Sequence, residues 1–253
     1  MKKGFVITEN FRRLAEAQKA VEKRGAAEAG IVIIRGPFGV GKSEIVERWA
    51  VDNRAVFVRC KETWTKRALL DELAQALGLD TRGRNSEVQS RIIGRLAVDM
   101  VPLVFDEGDF LIRSTPALLE CVRDITDVTG VACFLVGMER FGDKLARYGH
   151  IASRVNRIVE FQALSLADVK SACEKLCEVP LAPEVIAQMH EQTHGRMRLV
   201  LGAISALEQW AAANGWAKVE AAHVKGKALC VEFKPGKMGQ AQGAAIGAGR
   251  ASA

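Results

Sequence analysis

The sequence predicts an α/β fold, in which helices cover a parallel five-stranded sheet and a small all-helical domain follows. Short β-branched and apolar runs alternate with helical patterns as far as about residue 161. A glycine-rich loop separates the first of these runs from the helix after it, and beyond Ser165 only helical patterns remain. Alternating strands and helices are typical of a parallel sheet that is covered on both faces.

The composition favours a globular protein of one large or two small domains. The chain has 253 residues, of which 49% are hydrophobic and 26% charged, and no apolar run approaches the length of a membrane span. The six cysteines include no C-x-x-C pair, so we expect buried thiols in a reducing cytoplasm. We also expect no signal peptide and no association with a membrane. The net charge of +6 permits a polyanionic partner but does not require one.

Five runs rich in β-branched and aromatic residues are the expected strands. In chain order they are Ile31–Ile34, Ala55–Arg59, Val101–Phe105, Val131–Val136 and Arg157–Phe161.

Helical spacing of apolar residues predicts the elements between and after these strands. Thr8 is placed to cap the first helix, and Gly78 and Gly130 are expected to end two others. The expected helices are 8–25, 44–50, 65–77, 86–98, 115–129, 167–176, 183–192, 196–214 and 220–229.

Three parts are therefore expected along the chain. Residues 1–163 form the α/β nucleotide-binding domain and residues 164–232 a helical lid domain. Residues 233–253 are dominated by Gly, Ala, Gln and Ser. That composition offers few bulky side chains to bury, so a disordered tail is expected there.

The segment between the first strand and its helix fits the pattern G-x-x-x-x-G-K-[ST] without a mismatch. Its residues are Gly36, Pro37, Phe38, Gly39, Val40, Gly41, Lys42 and Ser43. In a strand–loop–helix context, such a loop turns backbone N–H groups toward phosphates at the helix N-terminus. We expect ATP as the ligand, with Lys42 at the β- and γ-phosphates and the Ser43 hydroxyl on Mg²⁺.

Two carboxylates end the third predicted strand, whose sequence is Leu103-Val104-Phe105-Asp106-Glu107. Asp106 at the strand tip suits the shell of the Mg²⁺ ion, and Glu107 is then placed to polarise a water for attack on the γ-phosphate. Asp109 also lies nearby and is interpreted as a surface or supporting residue.

Together these motifs resemble AAA+ ATPases, over roughly residues 5–230. The resemblance implies an arginine finger before the fifth strand, where Arg154 would reach the γ-phosphate of a neighbouring subunit and Arg157 competes for the role. Gly195-Arg196-Met197-Arg198 resembles the family's sensor-2 motif, so Arg198 would contact the nucleotide of its own subunit. The tip of the fourth strand, Val136-Gly137-Met138, lacks the polar sensor-1 residue common in the family. Two alternatives stay open, namely that hydrolysis is slow or that it relies on Glu139.

A narrower resemblance is to the Mu phage transposition B family and its transposon relatives. It rests on three segments, which are residues 5–10, residues 105–111, and residues 119–131 followed by 134–139. It implies an ATPase that assembles on duplex DNA as a ring or helical filament, selects target DNA and recruits a transposase, in a bacterial cell or a phage-infected host. The alternatives are an AAA+ replication loader and a signalling or secretion switch.

Basic residues indicate where duplex DNA would bind without sequence preference. Residues 54–95 contain nine Lys or Arg residues but only five Asp or Glu residues. We expect Lys61, Lys66 and Arg67 to contact phosphates, because they follow the second strand and could face a central pore.

A different class of function is suggested by His190-Glu191-Gln192-Thr193-His194, which fits the zinc-protease pattern H-E-x-x-H. Gly195 ends the helix immediately after the second histidine, and no third histidine follows at the expected offset. A zinc protease is therefore the weaker interpretation of this segment.

Overall fold

The structure, a computed structural model, describes residues 1–113 and 116–231. It contains a five-stranded sheet in which every neighbouring pair is parallel. The strands are β1 (Ile31–Arg35), β2 (Val56–Arg59), β3 (Leu103–Asp106), β4 (Cys133–Gly137) and β5 (Val155–Glu160), in the spatial order β2-β3-β4-β1-β5. The predicted five-stranded parallel sheet is confirmed.

The helices are bounded as follows, with one 3₁₀ helix at Gly108–Ile112. They are α1 (Glu9–Glu22), α2 (Lys42–Asp52), α3 (Lys66–Ala76), α4 (Asn85–Asp99), α5 (Ala117–Thr129), α6 (Phe141–Leu145), α7 (Gly149–Ala152), α8 (Leu166–Leu176), α9 (Pro183–Thr193), α10 (Met197–Asn214) and α11 (Ala221–Val224).

The side chains of β1 alternate between two cores on opposite faces of the sheet, as the period of two in a strand requires. Ile31 and Ile33 pack into the core formed with α3, α4 and α5. Val32 and Ile34 pack with Trp49 into the core beneath α1 and α2. Helices therefore cover both faces, and the carboxyl ends of the strands stay open for a site.

A third core belongs to the helical part, where α8, α9 and α10 pack around Val169, Met189 and Ile204. Val6 of the N-terminal segment is buried in the same core. The boundary that the sequence suggests at residues 163 and 164 stays a prediction. The expected disordered tail, 233–253, lies outside the described residues, as does residue 232.

The connection from β5 to α8 is fastened by Asn10 of α1. Its Nδ2 donates to the Gln162 carbonyl at 2.8 Å, and the Gln162 N–H donates to its Oδ1 at 2.9 Å. Asn10 is buried. The N–H of Glu9 donates to the Asp168 carboxylate of α8 at 3.1 Å, so the start of α1 holds both the sheet's last strand and the first helix of the helical part.

Some boundaries differ from the sequence prediction. β5 begins at Val155, two residues before Arg157, and α11 ends at Val224 although the expected helix reached Leu229. The helix stops early because the chain turns at Lys225, with ψ of 123°, and Gly226, with φ of +72°, and the Lys227 N–H then donates to the Val224 carbonyl. The 3₁₀ helix, α6 and α7 have five residues or fewer, too short to produce a helical repeat. None of the described helices has the length and apolar character needed to span a membrane.

Candidate nucleotide-binding site

The glycine-rich loop joins the end of β1 to the first residue of α2, which is Lys42. A Cβ on Gly36 would lie 2.3 Å from the Phe161 carbonyl oxygen, so only glycine fits between β1 and the chain leaving β5. Gly41 has a φ of +88°, which glycine adopts without steric cost. Val40 is buried in the core under α2, which anchors the loop at the N-terminus of that helix.

Lys42 lies over the same loop and is partly buried. Its Nζ donates to the carbonyl oxygens of Gly36 at 2.6 Å and Pro37 at 2.7 Å. Burial lowers the pKa of the ammonium group, and the negative charges of Glu107, Asp106, Glu139 and Asp109 oppose that shift. A cation held near four acids and two carbonyls is placed to exchange these contacts for phosphate oxygens.

Asp106 and Glu107 end β3 beside this loop. Asp106 is 2% exposed, and its Oδ1 accepts the Glu107 N–H at 3.0 Å. Its Oδ2 accepts a hydrogen bond from Nε of Arg59, the last residue of the neighbouring β2, at 3.1 Å. Glu107 is exposed and has a φ of +55°, a conformation rarely adopted by residues other than glycine, and such strain clusters at functional sites.

The tip of β4 is positioned by Asp109, which follows Glu107 by two residues. Its Oδ2 accepts the Met138 N–H at 2.8 Å, and its Oδ1 accepts from Nζ of Lys144 at 2.8 Å. The sequence indicates only a surface or supporting residue here, and the geometry gives Asp109 a specific supporting role. For Arg59 the sequence indicates only a place among the basic residues of the predicted DNA-binding region, because its contact with Asp106 depends on which strands are neighbours.

A cavity of about 260 Å³ lies between the glycine-rich loop, the tips of β3 and β4, and the start of α10. The sequence-predicted residues that line it are Phe38, Gly39, Gly41, Lys42, Ser43, Asp106, Glu107 and Arg198. Val136, Gly137 and Met138 line it as well. Arg198 is exposed, and its backbone N–H donates to the Gly39 carbonyl at 3.0 Å, so the helical part closes directly on the loop.

Arg154 is the predicted site residue that the fold keeps away from this cavity. The Ile31 N–H at the start of β1 donates to the Arg154 carbonyl at 3.0 Å, so Arg154 sits at the amino edge of the sheet. The glycine-rich loop is at the carboxyl edge, about 16 Å away along β1 at about 3.3 Å per residue. The Arg154 guanidinium pairs with Asp127 at 3.3 Å, while Arg157 is exposed on β5.

The three residues predicted to contact DNA differ in their surroundings. Lys61 pairs with Glu72 at 2.5 Å. Arg67 pairs with Asp71 at 2.8 Å and also donates to the carbonyls of Thr81 and Gly83, so its guanidinium fastens the loop before α4. Lys66 is exposed at the start of α3.

The H-E-x-x-H segment occupies the end of α9. His194 follows the last helical residue with a φ of +49°, and Nε2 of His190 lies 3.0 Å from the Leu164 carbonyl oxygen. Within residues 1–113 and 116–231, no group of three or more His, Cys, Asp or Glu residues is arranged to hold a metal ion.

Comparison with known proteins adds a domain assignment for the first half of the chain. Residues 25–145, which include the glycine-rich loop, Asp106 and Glu107, match the family model for the AAA domain. No curated protein sequence matches the chain significantly.

Several solved structures are similar to this one. The Aeropyrum pernix ORC2 protein, in ADPNP and ADP complexes, superposes with a TM-score of 0.66 at 16% identity over 88% of this chain and 69% of that one. The Aeropyrum pernix ORC1 protein in complex with DNA gives 0.59 at 20% identity over 87% and 64%. The Thermotoga maritima RuvB Holliday junction branch migration motor gives 0.58 at 16% over 87% and 68%.

At these identities the likeness shows the fold, which is the AAA+ P-loop fold. This confirms the predicted fold class. The chain spans roughly two thirds of the length of these proteins.

Proposed function

We propose, from the AAA+ P-loop fold and the site that it carries, that this chain binds and hydrolyses ATP with Mg²⁺ and couples the cycle to assembly on duplex DNA. The observation that carries the ATPase proposal is the convergence of Lys42, Ser43, Asp106 and Glu107 on one cavity. Lys42 and Ser43 begin α2, which follows β1, whereas Asp106 ends β3, and β4 lies between β1 and β3 in the sheet.

The residues present fit a Mg²⁺-nucleotide. Gly36 has no room for a side chain beside the Phe161 carbonyl, so the loop is packed against the chain that leaves β5. Lys42 would leave the carbonyls of Gly36 and Pro37 to neutralise phosphate oxygens, and Ser43 with Asp106 would hold the metal, which supplies charge neutralisation at the phosphates when bound. Glu107 would accept the proton of the attacking water.

The separation between Arg154 and the cavity supports the proposal of assembly. A guanidinium at the amino edge of the sheet is too far from its own nucleotide, so we propose that Arg154 acts on the nucleotide of a neighbouring subunit. It would exchange Asp127 for that phosphate, and hydrolysis would then require contact between subunits. Arg157, exposed on β5, is the competing candidate. Arg198 would sense the nucleotide within its own subunit.

For DNA, the support is the excess of basic residues between Arg54 and Arg95 and the DNA-bound state of the similar ORC1 structure. Lys61, Lys66 and Arg67 stay our first candidates for phosphate contacts, although Arg67 would have to keep its contacts with the loop before α4. Each contact gives a salt-screened, sequence-independent contribution, so assembly would raise affinity through avidity.

Two narrower functions are compatible with such an ATPase. Selection of transposition target DNA with recruitment of a transposase rests on the resemblance of residues 5–10, 105–111 and 119–139 to the Mu phage transposition B family. A replication loader is favoured by the similarity of the fold to the ORC proteins. Electron microscopy of the protein with ATP and duplex DNA separates them, since a continuous filament supports target selection and discrete rings support a loader.

The direct test of the proposal is ATP hydrolysis with and without duplex DNA. We expect duplex DNA to stimulate release of phosphate by the wild-type protein, and Lys42→Ala to remove the activity. Lys19→Ala, an exposed change on α1, is the control. An ATPase that ignores DNA would favour the signalling or secretion alternative, and no ATPase at all would contradict the proposal.

A further inference from the structure

A second cleft opens at the carboxyl edge of the sheet, next to the nucleotide cavity but separate from it. It measures about 530 Å³ and lies between the 3₁₀ helix and α6. Four basic and two aromatic side chains line it, namely Arg113, Arg140, Lys144, Arg147, Phe110 and Tyr148. The aromatic residues are half-buried, and the basic ones are exposed.

The acidic residues of this cleft are already engaged by other groups. Asp143 pairs with Arg35 at 3.2 Å, and Asp109 accepts from Lys144 and from the Met138 N–H. The guanidinium groups of Arg140 and Arg147 make no hydrogen bond or ion pair with any residue in the described ranges. The cleft therefore presents two uncompensated positive charges.

The cleft is continuous with the loop that follows β2. Arg113 pairs with Glu62 of that loop, and Lys61 of the same loop lies 6.0 Å from the Trp64 ring. The cations that line the cleft are Arg113, Arg140, Lys144 and Arg147, and the Arg113–Glu62 pair connects it to the loop that carries Lys61. Several separated cations match a ligand with more than one negative charge, and guanidinium groups match phosphate oxygens in geometry.

We propose that this cleft binds the phosphate backbone of DNA, with Arg140 and Arg147 as its principal contacts. The inference rests on the proposed DNA-dependent function and locates the DNA at a surface outside the region 54–95. Asp109 gives the cleft a physical connection to the nucleotide cavity, because one of its oxygens faces Lys144 in the cleft and the other holds Met138 at the cavity wall. A phosphate that attracts Lys144 would remove one of the two contacts that position the Asp109 carboxylate.

The experiment measures anisotropy of a labelled duplex across a salt series, with ATP present, for Arg140→Gln/Arg147→Gln and the wild type. Both side chains are exposed and unpaired within the described ranges, so ATP binding and the thermal unfolding temperature are expected to stay at wild-type values. Lys19→Gln/Lys23→Gln on the exposed surface of α1 and its end removes the same net charge and serves as the matched control.

We expect the cleft variant to bind duplex at least about tenfold more weakly at 0.1 M salt. Its salt slope should fall by about 0.9 for each phosphate that the variant no longer neutralises. The control should keep the wild-type slope. Cleft and control variants that bind alike would overturn the cleft assignment, while tight ATP-dependent binding by the wild type would still support the proposed function. A wild type that binds no duplex would contradict both.

A competitor distinguishes nucleic acid from an acidic protein partner. Poly-glutamate is added at the same charge concentration as unlabelled duplex. Stronger displacement by the duplex supports a phosphate site. Equal displacement by poly-glutamate contradicts it, since a surface for an acidic peptide would then explain the charge.

Discussion

Arg59 donates a hydrogen bond from Nε to Oδ2 of Asp106 at 3.1 Å across neighbouring strands β2 and β3. The Asp106 side chain is 3% exposed and that of Arg59 is 56% exposed. Asp106 is the carboxylate that we propose would hold Mg²⁺, and the Arg59 guanidinium already binds one of its two oxygens.

Replacing Arg59 by Gln is expected to strengthen the effect of Mg²⁺ on nucleotide binding. An ion pair with one exposed partner contributes about 0.2–1 kcal/mol, so the ratio of ATP dissociation constants in EDTA and in Mg²⁺ should rise by up to about fivefold. Titration of a fluorescent ATP analogue measures this ratio. Arg48→Gln, which removes the exposed pair with Asp52 on α2, is the control, and an unchanged or smaller ratio for Arg59→Gln would count against competition at Asp106.

Glu107→Gln is expected to retain ATP binding and to reduce turnover by at least about 10²-fold, the scale of a general base. Gln has the same size and the same cost at a φ of +55°, so the backbone should be kept while the proton acceptor is removed. Equilibrium binding and single-turnover hydrolysis provide the measurement. Turnover at the wild-type rate in this variant would contradict the role of Glu107 and indicate that Asp109 or Glu139 acts as the general base.

Arg154→Ala is expected to bind ATP normally and to hydrolyse it poorly. Mixed with Lys42→Ala, which is expected not to bind nucleotide, it should recover part of the activity. At a shared interface, the Lys42→Ala protein would supply Arg154 and the Arg154→Ala protein would supply the bound ATP. Hydrolysis across mixing ratios is the measurement, with co-assembly checked by sedimentation. Arg157→Ala is the matched variant, and rescue of that variant alone would identify Arg157 as the finger.

Asn10→Ala is expected to lower the free energy of unfolding by about 1–3 kcal/mol, because it removes two hydrogen bonds to the backbone of Gln162, each worth about 0.5–1.5 kcal/mol. Urea unfolding measures the change. Glu16→Ala, an exposed position on the same helix, controls for helix effects. A decrease below about 0.5 kcal/mol would mean that the amide pair does not hold the connection between β5 and α8.

Local sequence patterns predict the sheet and the glycine-rich loop, because the residues that identify each of them lie close together in the sequence. The run Ile31–Ile34 and the spacing of Gly36, Gly41, Lys42 and Ser43 each need only their own neighbours to be recognised. Asp106 and Glu107 at the end of β3 are interpreted as site residues because this loop precedes them in the sequence.

The supporting contacts of the site could not be predicted in this way, because they join distant segments. Asn10 and Gln162 are 152 positions apart, and Arg59 meets Asp106 only because β2 is the neighbour of β3. Asp109 stands two residues after Glu107, yet its contact with Met138 depends on how the tips of β3 and β4 align. The basic cleft depends on α6, which has five residues and leaves no periodic signal.

In the proposed function, ATP drives assembly of this protein on duplex DNA. The most direct measurement is the anisotropy of a labelled duplex with Glu107→Gln protein in ATP, in ADP and without nucleotide, across a salt series. We predict tight, length-dependent binding in ATP only, little dependence on DNA sequence, and steep weakening with salt. Binding of equal strength in all three nucleotide conditions, or no binding in ATP at low salt, would contradict the account.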